Sequence, residues 1–201
     1  MSKKQKKPKL VYGWGINDAD YVTRPTVNGK EVWCPYFRSW KGMIKRCYDP
    51  QLHKKRPTYI GCSIVEEWRS FMAFRSWMMQ QQWQGLHLDK DILQPGNKAY
   101  SPDTCVFVSH SLNNLLVDSG ASRGEYPIGV YWNKQHRKYQ ATCCIDGKNK
   151  HLGYFSSPDQ ASRVYIKAKA QLIAETALKE PPRIRNGLLL HRDILQATLF
   201  V

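Results

Sequence analysis

The run Lys138 to Ile145, KYQATCCI, followed by His151 to Phe155 and then by Ser157-Pro158-Asp159, constrains the fold more than any other stretch of the 201-residue chain. Successive side chains of a strand point to opposite faces. Tyr139, Ala141, Cys143 and Ile145 therefore share one face, and Lys138, Gln140, Thr142 and Cys144 share the other. The first set is apolar; the second is polar or small. Ser-Pro-Asp starts a helix, and Ala161, Val164, Tyr165, Ala168, Leu172 and Ala174 recur at helical spacing through Glu180. One helix can thus cover the apolar face of a small antiparallel sheet and leave the opposite face open. Trp132, Lys134, His136 and Arg137 fall on or beside the first turn of that sheet. Lys148-Asn149-Lys150-His151 reads as a basic turn into its last strand.

Upstream, Tyr36, Trp40, Met43, Ile44 and Cys47 follow a three-four spacing over Tyr36 to Tyr48, with Arg38, Lys41, Lys45 and Arg46 on the other faces. A turn-rich segment, Asp49-Pro50 through Pro57 to Gly61, leads to a second predicted helix, Val65 to Gln82. Leu86 to Leu116 parses as strand, loop rich in Gly, Asn and Pro, strand Cys105 to Val108, and helix His110 to Leu116. Pro181-Pro182 should end the preceding helix and open another, Asn186 to Leu199, whose leucines either pack back on the core or meet a partner. The expected fold class is α+β. Residues 1–10 form a disordered basic arm, 11–122 a helical plus ββα module, 123–181 a three-stranded antiparallel sheet on one helix, and 182–201 a C-terminal helix.

Lys+Arg number 31 against 16 Asp+Glu, a formal net charge of +15. Such a chain attracts polyanions. A membrane surface is the competing one, but there is no apolar run of about eighteen residues, no signal-peptide core behind the N-terminal lysines and no lipidation motif. A nucleic-acid partner without a membrane, and a cytoplasmic location in a bacterial or phage-infected cell, are the expectations. The six cysteines show no CxxC pair and are expected to be reduced. A zinc site of Cys34, Cys47, His53 and Cys62 has suitable ligand types at long, irregular spacings. Gly13-Trp14-Gly15 lacks the residues of a nucleotide-phosphate loop, and no nucleophile elbow is present.

Gly129-Val130, Tyr139, Ala141, Leu152-Gly153-Tyr154-Phe155, and the helix with Ala161 and Tyr165 resemble the ethylene-response-factor (Apetala-type) DNA-binding domain over residues 124–181. The resemblance implies double-stranded DNA as partner, with the sheet in the major groove. It places Tyr131, Trp132, Lys134, Arg137, Lys138, Gln140, Thr142, Lys148 and Lys150 at the interface. The outward positions that carry arginine and tryptophan in that family hold Tyr131, Gln140, Thr142 and Cys144 here, so the target sequence does not carry over. RNA is the second polyanion, because Tyr131 and Trp132 could stack on unpaired bases. A monomer or weak dimer is expected.

Trp40, Arg46-Cys47, Gly61-Cys62, Trp68, Leu88-Asp89-Lys90-Asp91 and Tyr100-Ser101-Pro102, with the ββα outline, are similar to the HNH (ββα-metal) nucleases of phages and mobile elements, homing endonucleases among them. That resemblance implies a Mg2+- or Mn2+-dependent DNA endonuclease in which Asp89 and Asn113 hold the metal. The histidine that normally follows the aspartate is replaced by Lys90, and the supporting loop asparagine falls near Asp103 or Thr104. A lysine, with an ordinary pKa of about 10.4, does not accept a proton at neutral pH. His87 is then the base and Lys90 a phosphate contact, or His110 approaches from the helix. In the alternative, Asp89, Asp91, Asn113 and Asn114 only hold strand ends and helix turns, and the protein is a regulator that binds DNA without cutting it.

Overall fold

The computed structural model describes residues 10–117 and 124–200. The expected basic arm lies almost wholly outside them. The described residues are mixed α and β, and the chain divides into two compact units, residues 1–91 with 96–108 and residues 92–95 with 109–201.

The first unit is built around α1 (Pro35–Tyr48), whose Phe37, Trp40, Met43, Ile44 and Cys47 are buried. These five follow the three-four spacing of one helix face, which is why α1 packs along a stripe. Ahead of it stands a short hairpin, β1 (Thr26–Val27) and β2 (Lys30–Glu31). Beyond it follow α2 (Pro50–Lys55), β3 (Ser63–Ile64) and α3 (Phe71–Met79). Trp40, Phe71 and Phe74 are fully buried and Trp68 nearly so, and the Trp40 indole donates to the Trp68 carbonyl at 2.7 Å. Each such side chain contributes about 1.5–3 kcal/mol by leaving water. Gly15 abuts this core: a Cβ there would lie 2.4 Å from Ile44 and 2.7 Å from Trp40.

The single helix expected over Val65 to Gln82 is instead a 3-10 turn, Glu66–Arg69, followed by α3. The break has a visible cause. Ile16 bridges to Ser70 in parallel, accepting from the Phe71 amide and donating to the Arg69 carbonyl, which holds Ser70 extended. The Ser70 hydroxyl then caps the new helix at the Ala73 amide. Two further short ladders complete the unit: β3 pairs in parallel with β5 (Ala99–Tyr100), and β4 (His87–Asp89) pairs antiparallel with β6 (Val106–Val108).

In the second unit, α4 (His110–Leu115), capped by Ser109, precedes a three-stranded antiparallel sheet. The sheet runs β7 (Val130–Asn133), β8 (Lys138–Ile145) and β9 (Lys148–Phe155), in that spatial order. Asp146 and Gly147, both with positive φ (51° and 73°), make the β8–β9 turn, as expected for an Asp-Gly hairpin. The basic turn read at Lys148 to His151 is therefore strand.

α5 (Pro158–Ala177) lies across the sheet, with the Ser157 hydroxyl capping the Gln160 amide. Ala141 and Ala161 are fully buried, and Cys143 packs with Tyr165 and Ile166. Two alanines at the crossing let helix and sheet approach closely. At Gly129, φ is 76°, and a Cβ would meet the Tyr165 ring at 2.2 Å and the Thr142 carbonyl at 2.7 Å. The last helix, α6 (Pro182–Ala197), starts earlier than expected and packs on α5, with Leu188 fully buried. Arg185 donates to the Ala177 and Glu180 carbonyls at the end of α5, a cation where a helix dipole favours one.

Candidate nucleic-acid interface

Directly opposed residues on neighbouring strands share a face, so the register of the sheet decides which side chains look outward. Tyr131 opposes Gln140, which opposes Tyr154; Asn133 opposes Lys138; Thr142 opposes His151; Cys144 opposes Asn149. These residues lie on the face away from α5. Tyr131 is 43% exposed and Tyr154 is 37% exposed. The Tyr154 ring has His136 at 4.2 Å and His151 at 4.5 Å between centroids. Gln140, expected outward, does point that way but is buried, its amide oxygen accepting from Asn133 at 2.8 Å. The side-chain Oδ1 of Asn133 in turn accepts from the His136 backbone amide at 3.0 Å, tying the β7–β8 turn to the face. Lys134, Arg137 and Lys138 are exposed at that end. Between Val130 and Phe155 the only carboxylate is Asp146.

Three residues assigned from the sequence to this surface stand elsewhere. Trp132 opposes Tyr139 and meets it edge-on at 4.9 Å, so it belongs to the α5 side, at its exposed margin. Lys148 and Lys150 oppose Ile145 and Cys143 and therefore also point to the α5 side, exposed on the border strand. A bulge at Ala141/Thr142 intervenes in the β8–β9 ladder and was invisible to strict alternation. His136 and His151 were the missed members of the outer face. Each imidazole stands three residues before a strand tyrosine in the sequence, Tyr139 and Tyr154, but only the fold brings both to Tyr154.

The other candidate residues divide between the two units. His87 and Asp89 share one face of β4 in the first unit, while Asn113 and His110 sit on α4 in the second. Asp89 Oδ1 accepts from the Asp91 amide at 2.7 Å, closing the end of β4. Lys90, expected as a phosphate contact, is buried, 5% exposed. Its Nζ donates to Asp91 and to the Asn97 carbonyl at 2.8 Å. Asn97 answers with its amide on the Lys90 and Ala99 carbonyls. Thr104, near where a supporting asparagine was expected, spends its hydroxyl on Ser101 and the Ala99 carbonyl. The histidine on α4, His110, bonds Asn114 one turn on.

Around this knot the interior is strongly desolvating. Burial pushes the Cys47 and Cys105 thiols up to about 12 and raises Tyr100, whose hydroxyl accepts from Arg46 Nε at 2.8 Å. The zinc tetrad does not assemble: His53 bonds the Arg46 carbonyl and Cys34 the Tyr21 hydroxyl. Among the described residues no group of three or more His, Cys, Asp or Glu side chains is placed to hold a metal ion. The carboxylate of Asp89 and the amide of Asn113 are hard oxygen donors of the kind Mg2+ takes; Asp89 belongs to the first unit and Asn113 to the second. Among the described residues no helix is long and apolar enough to cross a membrane.

No family model, no curated protein and no solved structure matches the chain.

Proposed function

We propose that the protein binds double-stranded DNA, with the outer face of the β7–β8–β9 sheet as its reading surface. The observation that carries this is the composition of that face: two exposed tyrosines and two imidazoles around a locked Asn133–Gln140 pair, with Lys134, Arg137 and Lys138 at one end. A ribbon of this width suits the major groove, lysines supply phosphate attraction, and the exposed Tyr131 and Tyr154 carry hydroxyls of the kind that contact phosphate and sugar. The test is a salt titration of duplex affinity by fluorescence anisotropy. Lys138→Ala lowers the slope of log affinity against log salt by about 0.9, and Tyr131→Ala with Tyr154→Ala weakens binding at all salts. A flat response to salt in the intact protein refutes the reading. Single-stranded RNA winning in direct competition replaces it with an RNA reading.

A metal-dependent cut is the second part of this reading. Element order favours it: the antiparallel β4–β6 pair followed by α4 repeats the ββα sequence of elements. The buried Lys90 favours the non-catalytic regulator, since that lysine serves the loop and not a phosphate. Incubation of supercoiled plasmid with Mg2+ or Mn2+ decides between them. Cleavage abolished by chelator and by Asp89→Ala supports an endonuclease; plasmid left intact at concentrations that saturate binding supports the regulator.

A further inference from the structure

The first unit carries a second concentration of cations that the sheet reading does not use. Tyr12, Trp33, Arg38, Lys41, Gly42 and Lys45 line a shallow cavity of about 190 Å³. Arg38, Lys41 and Lys45 recur at i, i+3 and i+7, one face of α1. Gly42, between them, leaves the floor open: a Cβ there would meet nothing within 4 Å. The Trp33 indole forms a wall and holds two cations, with Arg24 Cζ at 4.6 Å and Lys41 Nζ at 4.8 Å from its centroid. Such contacts favour a cation over a ring without neutralising it.

Charge bookkeeping separates these cations. Arg24 pairs with Glu31, and Lys45 Nζ stands 4.0 Å from Asp49, whose other oxygen caps α2 at the Gln51 amide. Among the described residues Arg38 and Lys41 have no salt-bridge carboxylate. The cavity is smaller than the 300–1,000 Å³ of drug-sized sites but holds about six waters at roughly 30 Å³ each, room for one hydrated tetrahedral anion with part of its ester. Aromatic walls of Tyr12 and Trp33 suit a sugar or base edge beside that anion.

We infer that this cavity on α1 is a backbone-phosphate site for a DNA strand, separate from the sheet, with Arg38 and Lys41 as its principal donors. The inference rests on the DNA-binding reading, and its test distinguishes the two. The full chain is titrated with one duplex across salt, alongside Arg38→Gln, Lys41→Gln and their double variant, each checked for an unchanged melting temperature. Each single change lowers the salt slope by about 0.9 and the double by about 1.8, additive with Lys138→Ala. Equal charge loss at Lys54 and Lys55, exposed on α2 and outside the cavity, leaves the slope at the wild-type value.

A double variant that keeps the wild-type slope while Lys138→Ala lowers it overturns the cavity and spares the sheet. Equal losses from Lys54→Gln and Lys55→Gln also overturn it, by reducing the effect to bulk charge. Should the double variant bind duplex normally but lose co-sedimentation with phosphatidylserine vesicles, the anion is a lipid headgroup and the inference fails. Absence of any duplex binding by the intact chain defeats the sheet reading and this one together.

Discussion

Gly129 and Gly147 offer a matched pair, because both have positive φ, 76° and 73°, while only Gly129 is enclosed. Replacing either with alanine places a side chain in the left-handed region, at about 1–2 kcal/mol. At Gly147 nothing lies within 4 Å of the new Cβ, so that term is the whole cost. At Gly129 the methyl would stand 2.2 Å from the ring of Tyr165, itself only 5% exposed, and 2.7 Å from a backbone carbonyl. Neither neighbour can withdraw without moving α5 or β8, and overpacking of this kind costs about 1–3 kcal/mol more. Gly129→Ala should therefore destabilise by about 2–5 kcal/mol and Gly147→Ala by about 1–2. At about 4–8 °C per kcal/mol for a unit of this size, thermal melting followed by circular dichroism resolves the gap. Equal melting temperatures for the two variants refute the close packing of Gly129 on Tyr165.

Burial holds the Lys169 amine below its ordinary 10.5, with Cys143 and Cys144 acting against the shift. The unfolded chain then binds the proton more tightly, so stability rises with pH from the lowered value toward 10.5; Lys169→Met removes that rise, as denaturant titration at several pH values would reveal. Cys47 and Cys105 shift the other way, and the stability they confer is full below their ordinary 9.0 and fades as pH climbs toward about 12. In the native protein Cys144, exposed, should react with an aromatic disulfide reagent well before those two, and simultaneous labelling of all three contradicts the core. Lys90→Met strips the donor from Asp91 and from the Asn97 carbonyl, costing about 1–3 kcal/mol while leaving the DNA salt slope unchanged; a fall of about 0.9 in that slope would return Lys90 to the phosphate.

Periodicity alone located α1, β8 and α5, because in each a regular apolar stripe meets a core large enough to reward it. It failed where a contact distant in sequence intervened. Nothing local to Glu66–Arg69 announces that Ile16 will hold Ser70 extended and delay the helix to Phe71. The strand faces were legible along β8 but not across it. Trp132, Lys148 and Lys150 looked outward by composition, yet their opposed partners Tyr139, Ile145 and Cys143 put them on the helix side. Asp146-Gly147 is the two-residue hairpin signal, and it outranks the polar Lys148-Asn149-Lys150 run, whose residues are strand. Lys90 is the instructive site residue: its position beside Asp89 drew attention to catalysis, whereas Asn97, the residue that engages it, carried only a loop signal.

The placement of Lys148 and Lys150 gives them a different occupation. Among the described residues β9 pairs only with β8, so eight residues of backbone line one border of the sheet with no further strand beside it. A bare border of that length invites a neighbouring molecule to add its own strand, and positive side chains along it repel an identical copy. Exchanging both lysines for threonine would keep the ladder and remove the guard, leaving a chain that folds as before but gathers into ribbons as its concentration rises.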